Sequence, residues 1–534
     1  MQEQLTRIIT QEDAEFLRDE SRSIGYAASI AFPSDEKALS AILKDCSKNG
    51  CAVTLQGART GLTAAAVPQG GQIINLSRMN RVRGMYLDDS GHFVLQVEPG
   101  VILARLRKQI ETRRFLTTGW DESSSQAFQL FQKAPPQFFT PDPTETTASI
   151  GGMAACNASG ARSYRYGSFR AHVQGLRVVL ADGQTLALAR GRERADGRFM
   201  RLRTEQGQFI AFHLPSYQMP ECKSAAGYYA ADDMDAVDLF IGSDGTLGVL
   251  SLIEIKLQPL PPIIWGVTCF FTTEEQALRF VLQVRAQNDG HICALEYFDD
   301  QVLLLLERQR QDSPAYARLL EPPVDAICAV FCELQGHGEP DMLAALFRLG
   351  ALMEAVAANP ADSWVARTDF DRDQLTFFRH AAPECVNGLI DQRRRQHPRL
   401  TKLGTDMAVP DNHLLDVMAL YQQDLLESHL EYAIWGHIGN NHVHVNILPR
   451  NEQDYQAGKM LYRRWAEQVV AWGGSVAAEH GIGKLKAEYL KLMFGTQALQ
   501  EMRQVKKALD PFMILGRGNL FGAWTSEMPS GGHT

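Results

Sequence analysis

From Pro33 the chain reads "PSDEKALSAILKDCSKNGCAVTLQG": a polar cap, then apolar Ala38, Leu39, Ile42 and Leu43 at helical spacing, then an apolar run around Ala52 to Leu55. That pattern predicts an amphipathic helix followed by a strand, so an α/β layer opens the fold. "QIINLS", "FVLQVEPGV" and "GLRVVLADGQTLAL" predict further strands or hairpins, joined by glycine and Asp-Gly turns. Apolar residues alternate from Val249 to Leu257, and Pro259, Pro261 and Pro262 follow, which predicts a first domain over residues 1–262. Beyond that border "WGVTCFFTTEEQALRFVLQVRA" and "ALEYFDDQVLLLLERQ" repeat a strand–helix order, predicting a separate α/β domain over 263–450. Residues 451–534 read as a C-terminal segment, helical from Glu452 to Leu509 and closing on the loop "DPFMILGRGNLF". The polar stretches Gly119 to Gln137 and Arg190 to Pro220 read as insertions.

Strict alternation returns in "HVHVNIL" after a turn made of Gly439, Asn440 and Asn441. It places His442, His444 and Asn446 on one strand face and Val443, Val445 and Ile447 on the other. The apolar face makes core; the polar face is expected to meet water, a ligand or an ion, because so much unpaired polar surface is costly to bury. His437 stands seven residues before His444, an odd separation that puts the two on opposite faces of a straight strand. The intervening turn can fold it back. Two imidazoles with Glu479, from "AAEHGIGKLKAEYL", make a His2Glu set of a type that suits Zn or Mn with a position left open. As a bare pattern, strand histidines are more often surface or hydrogen-bonded residues than ligands.

Composition narrows the class. A chain of 534 residues exceeds one compact core, so two or three domains are expected. Hydrophobic residues at 45% and charged residues at 22% suit a soluble globular protein. No apolar run approaches the roughly 18 residues of a membrane span. The start "MQEQLTRIITQEDAEFLRDE" lacks the basic head and apolar core of an export signal, so cytoplasmic residence is expected, with peripheral contact at the inner membrane face left open. Nine cysteines, an odd number with no CxxC pair, argue against a disulfide framework, a zinc ribbon or an iron-sulfur module. A net charge of −9 and a pI near 5.9 supply no field for nucleic acid. The basic run "DQRRRQHPR" reads as a solvated helix end.

Three segments are dense in glycine: "GARTGLTAAAVPQGG" from Gly57, "PDPTETTASIGGMAACNASGARSYRYGSFR" from Pro141 and "IGSDGTLGVLS" from Ile241. Exposed N–H groups in such turns can cradle an anion. Any one of them alone reads as a tight turn. None spells G-x-G-x-x-G or G-x-x-x-x-G-K-[ST], which sets aside the Rossmann and P-loop readings.

Together with "KSAAGYYA", these segments fall in the order seen in the vanillyl-alcohol-oxidase (PCMH) type of FAD-binding domain, which the chain resembles. Its C-terminal half resembles the cap domain of D-lactate, glycolate and D-2-hydroxyglutarate dehydrogenases. The resemblance covers about residues 30 to 522. It implies an α+β fold: two subdomains clasping FAD, a cap with a large antiparallel sheet, and C-terminal helices returning to the FAD site. It places Gly57, Ala58, Arg59, Thr60, Gly61 and Leu62 at the pyrophosphate. Pro141, Gly151, Gly152, Asn157, Gly160, Tyr166, Gly167 and Ser168 would line the flavin and ribityl region, with Gly242, Gly245, Thr246 and Gly248 adding backbone. Arg59 replaces the usual glycine, and pairing with phosphate is the expectation. Residues 52–70 hold neither histidine nor cysteine, so the FAD is expected to be non-covalent.

The family motifs "GHxGDGNxHxN" and "EHGxG" map His437, His444 and Glu479 onto metal ligands, Asn446 near the substrate and His480 beside the flavin. Here the D-G-N of the first motif is Asn440-Asn441-His442. The implied activity is oxidation of a D-2-hydroxy acid, with the hydride passing to flavin N5, a divalent ion acidifying the hydroxyl and His480 as base. Arg379 matches a substrate-side arginine, whose fork suits a carboxylate; by composition alone it reads as a surface arginine. Lys402 is a second anchor, although its spacing to Asp406 departs from the "K-x-D" of the 2-hydroxyglutarate enzymes. Expected partners are the small acid and an electron acceptor: a quinone, an electron-transfer flavoprotein, a cytochrome or a partner subunit. A homo-oligomer is expected. The rival readings are an aryl-alcohol or sugar oxidase on the same fold, and a non-catalytic flavin-binding subunit.

Overall fold

In the computed structural model, which describes residues 6–287 and 290–522, Asp35 accepts a hydrogen bond from the Ala38 N–H and starts the first helix, Glu36–Lys48. Residues 1–5 of the N-terminal reading and 523–534 of the third segment lie outside the described residues. Leu39, Ile42 and Leu43 are buried on one side of that helix, as their spacing predicts. They cover a four-stranded sheet in the order Thr6–Ile8, Ser29–Ala31, Gln72–Asn75, Val53–Gln56. A five-stranded antiparallel sheet follows, in the order Val82–Leu87, Phe93–Val97, Val249–Lys256, Val173–Val179, Thr185–Ala189. Its last two strands form the hairpin that the Asp-Gly turn predicts.

The two presumed insertions are built into the fold. Asp121 caps a helix, Glu122–Lys133, whose Ala127 and Phe131 are buried, with Phe131 edge-on to Phe93 at 5.2 Å. Two apolar residues four apart are a narrow stripe, which the surrounding serines and glutamines mask in the sequence. Phe199–Arg203 and Phe209–His213 form an antiparallel hairpin.

The cap is an all-antiparallel sheet of seven strands: β1 (Ile263–Phe271), β2 (Ile292–Phe298), β3 (Cys328–Gly336), β4 (Ser363–Ala366), β5 (Leu403–Gly404), β6 (Tyr432–His437) and β7 (His442–Ile447). Their spatial order is β4-β1-β3-β2-β6-β7-β5. On one face, helix α1 (Asp369–Arg394) lays Leu375, Phe378, Ala382 and Val386 over Phe298, Phe331 and Ala433. The opposite face, with Val443, Val445 and Ile447, joins the main core. Helices α2 (Glu452–Ala471) and α3 (Ala487–Leu509) flank a non-helical stretch that carries Glu479 and His480. All nine cysteines are free thiols, six of them buried.

Candidate active site

The turn after β6 folds the strand back as its glycine and asparagines predict, so His437 stands directly across from His442, and Trp435 across from His444. Opposed residues of an antiparallel pair share a face, which puts all three histidines on one side of the sheet. Gly436 permits this: its φ is +134°, and a Cβ there would meet the His444 ring at 2.9 Å. Glu479 arrives from the other side. Its carboxylate lies 3.4 Å from His437 Nε2, 3.3 Å from His444 Nε2 and 4.0 Å from His442 Nδ1. One ligand atom from each of these four side chains lies within 4.8 Å of every other.

The hydrogen bonds suit a cation. His444 Nδ1 sits 2.9 Å from the Thr405 carbonyl, which can only accept, so Nδ1 carries a proton and Nε2 is the nitrogen turned to Glu479. His437 Nδ1 is 2.5 Å from Glu296 Oε1, leaving its Nε2 for the cluster. His442 is fully buried; its Nε2 lies 3.2 Å from Asp406 Oδ1, and its Nδ1 has no bonded partner. A carboxylate with the ring nitrogens of three imidazoles gathered around it is a side-chain set that could hold a divalent ion.

Charges around the cluster are strongly biased. Burial disfavours the Glu479 carboxylate, but Lys223 at 2.8 Å and His437 outweigh it and hold it well below the usual range. Burial and Lys223 also oppose charge on His437, yet Glu479 and Glu296 raise it to about 9. A bound cation would replace that proton. Burial keeps His442 neutral, and burial depresses His480 to about 4, so the His480 imidazole is uncharged near neutrality. His480 stacks on His444 with ring centres 5.5 Å apart. Its backbone N–H and that of Glu479 both donate to Asp406, which also accepts from Lys486 at 2.6 Å.

The three glycine-dense segments converge beside this cluster. Ser149 Oγ accepts from the Ala58 N–H, while the N–H groups of Gly242 and Asp244 donate to the carbonyls of Ala154 and Ala155. The stretch after Glu479 is stitched to them. Asp244 accepts from the Ile482 and Gly483 N–H groups, and Lys484 Nζ donates to the Ala64 and Ala65 carbonyls. Among the described residues, the N–H groups of Arg59, Thr60, Gly61 and Leu62 donate to no protein acceptor. Gly61 also has open space where a side chain would be. That backbone fits an anion such as a pyrophosphate.

Other positions serve packing. A Cβ on Gly57 would meet Ser149 Oγ at 2.1 Å, on Gly151 the Pro99 side chain at 2.5 Å, on Gly160 the Asp142 carbonyl at 2.2 Å, and on Gly248 Val178 at 2.4 Å. Gly152 lies against Ser149, while Gly167, Gly242 and Gly245 adopt positive φ. Asn157 is also left-handed, and its Oδ1 accepts from the Arg170 N–H. Thr246 bonds Tyr228, the Pro141 carbonyl accepts from Arg107, Tyr166 bonds Gln335 across to β3, and Ser168 opens the short turn Phe169–His172.

The Arg59 guanidinium pairs with Glu15 at 2.8 Å and lies over the Phe16 ring, contacts the sequence did not announce. Arg379 reaches the site, but both Nε and Nη2 are held by Glu296, at 2.9 and 2.6 Å. Burial would raise Glu296; Arg379 and His437 hold it well below the usual range. Asn446 is buried and donates to the His444 carbonyl. Lys402 lies outside the cluster, 5.9 Å from the Trp435 ring centre, and burial with Arg22 nearby lowers it to about 8.

Sequence reasoning missed Asp406, Lys223 and Glu296 as site residues, along with the partly buried Arg162–Glu333 pair that joins the two halves at 2.8 Å. Glu296 and Glu333 were detectable as lone acids inside the apolar runs "ICALEYF" and "CAVFCELQG", where a carboxylate must find a partner.

Open backbone donors in a glycine turn, tied through the Glu479–Gly483 stretch to a His–Glu cluster, are features that suit a cofactor-dependent oxidoreductase. Residues 265–520 match the model described as FAD linked oxidases, C-terminal domain, and residues 27–128 and 126–189 match that described as FAD binding domain. The chain belongs to this family of FAD-linked oxidoreductases, with the vanillyl-alcohol-oxidase type of FAD-binding domain. It is 25% identical over 499 residues to a D-lactate dehydrogenase of Anaerostipes hadrus, covering 90% of this chain and 87% of that one. It is 26% identical over 494 residues to the mitochondrial D-lactate dehydrogenase [cytochrome] of Arabidopsis thaliana, covering 92% and 73%. Relatives named glycolate oxidase subunit and D-2-hydroxyglutarate dehydrogenase align at 23% and 26%. Among solved structures, alkyldihydroxyacetonephosphate synthase superposes with a TM-score of 0.61 at 13% identity, covering 97% of this chain and 82% of that one, a likeness of fold.

Proposed function

We propose that this protein is an FAD-dependent dehydrogenase that oxidises a D-2-hydroxy acid of the D-lactate, glycolate or D-2-hydroxyglutarate type to the 2-keto acid. The observation that carries the reading is the stretch Glu479–Gly483, which gives one side chain to the histidine cluster and its backbone to Asp244 in a glycine turn of the FAD-binding half. The names of the relatives supply the substrate class. FAD, when bound without a covalent link, supplies the hydride acceptor, and a divalent ion held by His437, His444 and Glu479 supplies Lewis acidity toward the substrate hydroxyl.

The protein's own groups do the rest. His480, neutral because it is buried, accepts the hydroxyl proton, and its position is held from behind by Asp406. Glu296 fixes the tautomer of His437, and Arg379 keeps Glu296 ionised. We assign the remaining donor capacity of the Arg379 fork to the substrate carboxylate. Asn446 and Lys402, toward the β5 edge of the cap, are assigned to the distal end of the substrate. The electron acceptor is a quinone, an electron-transfer flavoprotein, a cytochrome or a partner subunit, and the working form is a homo-oligomer. Among the described residues no helix is long and apolar enough to cross a membrane. Residence in the cytoplasm, with or without contact at the inner membrane face, belongs to the same proposal.

Anaerobic mixing of flavin-loaded protein with D and L forms of lactate and 2-hydroxyglutarate, and with glycolate, tests the substrate class. At least one D-2-hydroxy acid or glycolate should bleach the flavin, and the matching L acid should not. Bleaching only by an aryl alcohol or a sugar would transfer the reading to the rival oxidase chemistry.

A further inference from the structure

We infer that His442 is a third imidazole ligand, so that the divalent ion sits in a His3Glu set and not in the His2Glu set of the family motif. This rests on the metal reading above. The family's pattern has asparagine at this position; the chain has histidine, and the ring is fully buried, with Nε2 against the Asp406 carboxylate at 3.2 Å and Nδ1 without a partner. Leaving a buried polar group without a partner costs about 1–3 kcal/mol, so the open Nδ1 calls for an occupant.

The geometry says which atom faces it. His442 Nε2 lies on the Asp406 side, at 3.2 Å, while Nδ1 is turned toward Glu479 Oε2, at 4.0 Å. The ring centres of His442 and His444 are 4.5 Å apart, and those of His442 and His437 are 5.5 Å apart. A carboxylate behind one nitrogen with the other open to the cluster is the carboxylate–histidine arrangement that backs metal-ligating imidazoles. Small movements of Nδ1 and Glu479 toward a shared ion would complete the set.

The consequence is selectivity. Four protein ligands fill a tetrahedral ion, so zinc here would be closed to substrate. A six-coordinate ion such as Mn(II) keeps two positions for a chelating hydroxy acid. The added imidazole therefore shifts the working metal from zinc toward octahedral ions.

Pulsed EPR of Mn(II) added to chelator-stripped, flavin-loaded protein counts coordinated histidine nitrogens directly. Three imidazoles are expected in the parent protein and two in His442→Asn, with Mn(II) affinity falling roughly 10- to 100-fold in the variant, by analogy with loss of groups supporting a metal site. Two imidazoles in the parent, with His442→Asn unchanged in count and affinity, would overturn the inference and leave the metal reading standing. Absence of specific Mn(II) binding in the parent, with no dependence on His437→Asn, would overturn both. The count on the parent needs no variant to fold.

Discussion

Glu479→Gln is expected to remove specific divalent-ion binding and to lower the rate of flavin reduction by 10²- to 10³-fold. Glu479 supplies the only carboxylate among the four clustered ligands, and His437 Nε2 and His444 Nε2 both face it, at 3.4 and 3.3 Å. The variant keeps the side-chain shape and removes the negative charge. It also leaves Lys223, now 2.8 Å from the carboxylate and largely buried, beside a neutral amide and three imidazoles, a field that repels a cation. A Lewis acid is worth several kcal/mol of transition-state stabilisation, and each decade of rate corresponds to about 1.4 kcal/mol, which gives the stated range. Calorimetric titration with Mn(II) and single-turnover flavin bleaching read the two effects separately. Unchanged ion affinity in Glu479→Gln would remove the carboxylate from the metal site.

Asp406→Asn should lower stability by about 3–5 kcal/mol, the range for breaking a buried ion pair by removing one partner. Asp406 is wholly buried and accepts three hydrogen bonds: from the Glu479 N–H, from the His480 N–H and from Lys486 Nζ. Burial penalises its charge, and the Lys486 ammonium at 2.6 Å together with the hydrogen bonds it accepts holds it ionised. An asparagine offers one acceptor oxygen and two N–H donors, so at least one of the three donors is left facing another donor, and Lys486 loses its counter-charge. The same change frees the backbone that positions Glu479 and His480. Urea unfolding followed by intrinsic and flavin fluorescence measures the loss. A midpoint within experimental error of the parent would show that the segment is anchored elsewhere.

Part of the cap's sheet was legible in the pattern of its strands, while its antiparallel order came from the family resemblance. "HVHVNIL" alternates without a break, and the glycine and asparagines before it specify the turn that brings His437 opposite His442. The burial of His442 was not legible. It depends on Asp406, which approaches from the end of β5, and on Glu479, which arrives from the stretch between α2 and α3. Periodicity says which face a residue occupies and nothing about what packs on that face.

The glycines show the same limit. Their density marked the three segments that converge, yet at Gly151, Gly160 and Gly248 the space is taken by Pro99, Asp142 and Val178. Close backbone packing selects glycine as strongly as a ligand does. Arg59 was read as a phosphate partner because it stands where the pyrophosphate loop has glycine; its contacts with Glu15 and Phe16, more than forty residues earlier, were not legible.

The central claim is that the histidine–glutamate cluster and the flavin cleft act on one substrate. Single-turnover flavin reduction by a D-2-hydroxy acid, measured before chelation, after chelation and after Mn(II) is restored, tests it most directly. The expected result is rapid bleaching, a loss of roughly 100-fold or more on chelation in line with the Lewis-acid contribution, and recovery with Mn(II). Bleaching at the same rate in all three states, or no bleaching by any 2-hydroxy acid, would contradict the account.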